Sequence, residues 1–158
     1  MKYFENRQSS LDINKAELEQ IFKVIAETFS YDWIKNFKGS NPLQILWSRK
    51  DAMATKELFF FGANLSKLKE IDTKWVKEQA RIIKEGTYNN RQGAFFEINA
   101  LGIMSNERQI VKPAKSNNPG VDGVMTLSTN KNMRLSLKNY GDSNHYKEFI
   151  NKSAWFEK

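Results

Sequence analysis

The feature that most constrains this chain is a change of period at Gly86. Before it, apolar residues recur at helical spacing; after it, short apolar runs alternate with turn residues. Asp12 or Asn14 can cap a helix on which Ile13, Leu18, Ile21, Phe22, Ile25 and Phe29 share one stripe. Trp33, Ile34 and Phe37 extend that stripe until Lys38-Gly39-Ser40-Asn41-Pro42 stops it. The pattern then predicts a helical stretch from Leu43 to Leu68, breaking near Gly62. A third segment, capped by Asp72 or Thr73, carries Trp75, Val76, Ala80, Ile82 and Ile83 and closes at Gly86.

Beyond Gly86, Thr87-Tyr88-Asn89-Asn90 leads into a short helix over Gly93–Met104 that is apolar nearly all round. A helix of that kind belongs in an interior. Strands are expected at Gln109–Val111, Val121–Leu127 and Met133–Asn139. Asn117-Asn118-Pro119-Gly120 supplies a turn before the second, and residues 128–132 a hairpin loop before the third. Ser143 can cap a last helix holding Tyr146, Phe149, Ile150 and Ala154. The order predicts an α/β (α+β) class, with a helical region over residues 1–88 and an α/β unit over residues 89–158.

Composition removes several chemistries. The 158 residues include no Cys, so disulfides, cysteine nucleophiles and thiolate metal sites are out, and a single His excludes a multi-histidine zinc site. No apolar run approaches the roughly 18–20 residues that span a bilayer. The N-terminal residues lack a signal-peptide core, so a cytoplasmic location without membrane association is expected. The formal charge is +7. Residues 1–106 carry 16 basic against 13 acidic groups, whereas residues 107–158 carry 9 against 5. That balance suits a polyanionic partner, and suits equally a proteome that uses Lys for solubility.

Three residues stand out. Glu97 is one of two strongly polar residues in Gly93–Met104. Burying a carboxylate costs several kcal/mol, on the order of a whole core contact or more, unless a cation or hydrogen bonds offset it. The plain alternative is that Glu97 faces water or pairs with a local base. Asp122 follows the Pro119-Gly120 turn at the head of an apolar strand, where an acid is ordinary turn chemistry. Lys138 shares a strand face with Ser136, opposite Leu135 and Leu137, as a solvated edge lysine also would.

Taken together, a helical Glu, a turn-strand Asp and a small polar residue two before a Lys resemble the PD-(D/E)XK nuclease superfamily. Its fold is restriction-endonuclease-like. Pro119-Gly120-Val121-Asp122 stands for the Pro-Asp element with two residues interposed, and Ser136-Leu137-Lys138 for acid-x-Lys. The resemblance covers roughly residues 90–155. It implies a restriction-endonuclease-like core with a small mixed sheet, fronted by the helical region, and a metal-dependent nuclease acting on DNA ahead of RNA. Glu97, Asp122 and Lys138 would be catalytic. Asp122, Glu97 and the Leu137 carbonyl would hold Mg²⁺, or Mn²⁺ in its place. Ser136, Asn139, Tyr140 and His145 would meet substrate.

The sequence departs from that pattern twice. Ser136 stands where the family has an acid, so Glu97 carries the second acidic role or activity is weakened. The family core also returns through another strand after its last helix, whereas this sequence ends at Lys158, implying a truncated core or a sheet completed by a partner. Two other readings follow: a non-catalytic nucleic-acid-binding module on the same fold, and a toxin or interaction domain meeting a protein partner or a second copy of itself. Exposed Trp33, Trp47 or Trp75 would favour the last.

Overall fold

The computed structural model describes residues 3, 7, 9, 14–37, 39, 41–105, 109–114 and 120–137. Six helices precede a three-stranded sheet: α1 Lys15–Phe29, α2 Tyr31–Lys35, α3 Pro42–Ser48, α4 Ala52–Ile71, α5 Thr73–Glu85, α6 Tyr88–Met104, then β1 Ile110–Pro113, β2 Gly123–Thr126 and β3 Asn132–Leu135. The class is mixed helix and sheet, mostly helical. The final helix expected from Ser143 lies outside the described residues, as do Asp12, Ile13 and the Asn117–Pro119 part of the turn.

Side-chain caps set most helix starts. Asn14, Asn41, Asp51, Asp72 and Thr87 each accept a backbone N–H from the first turn of α1, α3, α4, α5 and α6. Pro42 at the head of α3 has no N–H to leave unsatisfied. Ser30, at φ 67°, breaks the first stripe between α1 and α2. The expected Leu43–Leu68 stretch is corrected in two ways. The break falls at Arg49-Lys50-Asp51, where Asp51 caps α4, and Gly62 stays helical inside α4. Gly62 is small because α1 crosses there. A Cβ would come within 2.6 Å of Ile21 Cγ2 and 2.9 Å of Ile25 Cδ1. The last helix of the series also begins earlier than expected, at Tyr88, because Thr87 caps it.

α4 is the central element. Leu58, Phe61, Leu65 and Leu68 are fully buried, with Phe22, Ile25 and Phe29 from α1, Ile83 from α5, and Ile98 and Leu101 from α6. Phe61 stacks flat on Phe95 of α6, ring centroids 4.3 Å apart. Arg7 adds a buried cation between Phe22 and Trp47, 4.9 and 5.0 Å from their centroids, and donates to the Trp47 and Arg49 carbonyls. Burial lowers its pKa to about 10, so it stays charged at neutral pH. Trp47 is buried, and Trp33 and Trp75 pack against the core. Among the described residues no helix is long and apolar enough to cross a membrane.

The sheet runs β1-β2-β3, antiparallel throughout its described strands. The expected segments 121–127 and 133–139 are antiparallel neighbours over Gly123–Thr126 and Asn132–Leu135. Between them Leu127 N–H donates to Lys131 O and Asn130 N–H to Leu127 O, with Asn130 at φ 58°. A three-residue hairpin loop of this kind needs one left-handed residue, which Asn tolerates well.

Half-buried Asp51 carries a pH signature. A hydrogen bond from Arg49, and then one from the Ala54 N–H, hold its carboxyl at about 2, below the ordinary 3.8. A depressed carboxyl stabilises the fold above its unfolded value and loses that contribution as pH falls through the folded one. In denaturant unfolding, the wild-type advantage over Asp51→Asn should therefore shrink as pH falls from about 4 to about 2. A difference that does not vary with pH would contradict this assignment.

Candidate functional site

Two of the sequence-predicted residues, Glu97 and Asp122, come near each other where α6 lies beside the head of β2. Gly123 makes that approach possible, since a Cβ there would come within 2.9 Å of Leu101 Cδ2. Leu101 is one turn beyond Glu97 on the same helix, and Asp122 immediately precedes Gly123. Glu97 and Asp122 are both half-buried. Burial first, and the negative charge of Asp122 second, raise the Glu97 pKa above its ordinary 4.5. Neither carboxylate forms an ion pair with a cation among the described residues.

Asp122 also organises the end of β3. Its backbone N–H donates to the Leu135 carbonyl at 2.8 Å, and its Oδ2 accepts the Leu137 N–H at 2.5 Å. Its own carbonyl accepts the Ala114 N–H at 3.0 Å. Among the described residues β3 ends at Leu135, short of the expected strand, and at Leu137 the Asp122 side chain replaces a ladder partner. The half-buried Leu137 is thereby fixed beside Asp122, while Ser136 between the two contacts is exposed. Lys138, Asn139, Tyr140 and His145 lie outside the described residues.

The sequence reading missed Gln79. It is buried at 7% exposure on α5, and its Nε2 donates to Glu97 Oε2 at 3.4 Å. A signal was present. Gln79 stands three residues after Val76 and four before Ile83, inside the stripe that α5 buries.

Two oxygen-donor carboxylates with no described cation suit a hard divalent ion, which takes one or two carboxylates and keeps several waters. Among the described residues no group of three or more His, Cys, Asp or Glu converges. Glu97 and Asp122 are thus donors of the kind such an ion takes, with water able to supply the remainder. They do not supply a full cage of side chains.

The raised Glu97 pKa has a measurable cost. The fold disfavours its charged form, so the penalty is present above the folded pKa and disappears as pH falls through it toward 4.5. In EDTA, Glu97→Gln should be more stable than wild type at pH 8 and no more stable at pH 4. Denaturant unfolding at the two pH values checks this. A variant less stable at pH 8 would show that the Glu97 charge is compensated within the protein.

Comparison of the chain with protein-family models, with curated proteins and with solved structures gives no match.

Proposed function

We propose that this chain is a metal-dependent nuclease of the restriction-endonuclease-like class, hydrolysing phosphodiester bonds in DNA ahead of RNA. The observation that supports it is the nearness of Glu97 and Asp122, from separate elements and without a described cation, while Asp122 holds the backbone one residue before Lys138. Hydrolysis of a phosphodiester needs positive charge beside the attacked phosphate and an activated water. Asp122, Glu97 and the Leu137 carbonyl would hold Mg²⁺ or Mn²⁺, which supplies that charge when bound. Lys138 would orient the water and help take its proton. Ser136, Asn139, Tyr140 and His145 would contact the nucleic acid.

A second reading is favoured by one observation. Ser136, at the place of the family's second acid, is exposed and uncharged, which fits a module that binds nucleic acid without cutting it. Incubation with plasmid, oligonucleotide and tRNA, in Mg²⁺ or EDTA, separates the two. The nuclease reading expects Mg²⁺-dependent cleavage that Lys138→Ala lowers by about 100-fold or more with metal binding retained. Salt-sensitive binding without cleavage in any divalent metal would replace it with the binding module. Absence of both would remove the nucleic-acid assignment.

A further inference from the structure

Gln79 is a polar side chain on a face that α5 otherwise buries through Val76, Ala80 and Ile83. A buried amide left without hydrogen bonds is destabilising, so its partner explains its presence. That partner is Glu97, whose Oε2 accepts from the Gln79 Nε2. The bond joins the helical front to the carboxylate whose charge Asp122 opposes. Gln79 can only donate to a carboxylate through its amide nitrogen, and a donor of no net charge orients the carboxylate without neutralising it. Lys or Arg here would occupy the cation's electrostatic role. Gln fixes one oxygen and leaves the negative charge available.

We propose that Gln79 is a positioning residue, brought by α5 to hold the Glu97 carboxylate toward Asp122 and toward the divalent cation that the two would share. The cation half of this statement rests on the function proposed above; the positioning half does not. α5 is then part of the site's support and not a separate appendage. Residues that orient metal ligands in this way typically change metal affinity about 10- to 100-fold when removed.

The test uses Gln79→Met, which keeps the length of the side chain and removes its donor. Mn²⁺ affinity is measured by calorimetry, and the order of the Glu97 side chain by NMR relaxation in EDTA. The expected result is Mn²⁺ binding weakened about tenfold or more, a more mobile Glu97 side chain, and a thermal midpoint at or above wild type. A merely structural role would lower the midpoint and leave both site readouts unchanged, which overturns the proposal. If wild type binds no Mn²⁺, the function proposed above fails, and Gln79 is judged on the Glu97 order alone. Glu97→Ala supplies a reciprocal reading should Gln79→Met fail to fold. The Gln79 side-chain amide protons should shift upfield on loss of their acceptor, and unmoved resonances overturn the contact.

Discussion

Replacing Asp122 with alanine is expected to abolish metal-dependent cleavage, with a loss of about 100- to 1000-fold or more. Two effects combine in this residue. The side chain is one of the two proposed carboxylate ligands, and its Oδ2 also accepts the Leu137 N–H. Alanine removes a ligand of the metal whose positive charge would lie beside the attacked phosphate, and releases the backbone that leads into Lys138. Asp122→Asn separates the effects, because an amide oxygen can still accept from Leu137 while contributing no charge. The Asn variant should keep the stability of the β2–β3 region, read by amide hydrogen exchange, yet lose cleavage nearly as fully as Ala. Wild-type cleavage by Asp122→Ala would remove the catalytic assignment from this residue.

Gly102→Ala should destabilise the protein by about 1–3 kcal/mol, roughly 3–10 °C in Tm for a chain of this size. Helix propensity alone predicts the opposite, since alanine in a helix interior is favoured over glycine by about 1 kcal/mol. Packing decides the sign. A Cβ at Gly102 would lie 2.3 Å from Asn64 Cβ and 2.8 Å from Asn64 Cα, so the obstruction is backbone that no rotamer change removes. α4 and α6 must separate, and the Asn64–Asn99 hydrogen bond of 3.1 Å between them is strained as they do. Gly93 on the same helix is the control. A Cβ there meets nothing within 4 Å, and Gly93→Ala should be neutral or stabilising by up to about 1 kcal/mol. Equal effects at the two positions would mean that the α4–α6 contact is looser than described.

The local signals that were legible in the sequence are those settled by short-range chemistry. Each cap reads as one of two neighbouring residues, Asp12 or Asn14 and Asp72 or Thr73; Asn14 and Asp72 take the role by accepting the N–H three residues on, and the β2–β3 hairpin reads from its polar loop. Gly62 read wrongly as a break. Its meaning depends on Ile21 and Ile25, some forty residues earlier, and no local pattern carries that crossing. Thr87 was passed over as the start of α6 because Tyr88-Asn89-Asn90 resembles a loop in propensity, whereas packing of α6 on α4, α5 and β1 extends the helix to it. Glu97 was visible as a lone acid in an apolar helix. The geometry that gives it consequence, the approach of Asp122 across the Gly123–Leu101 contact, is tertiary. Gln79 shows the same limit from the other side: its place in a buried stripe is local, but its partner lies on another helix, eighteen residues away.

The most direct measurement is an anomalous difference map from crystals of the protein grown with Mn²⁺ and without competing chelators. The expected result is one Mn²⁺ peak at the Glu97 and Asp122 carboxylates, which would hold the ion together with water. Saturating Mn²⁺ that leaves these carboxylates without a peak, or that settles elsewhere in the chain, would contradict it.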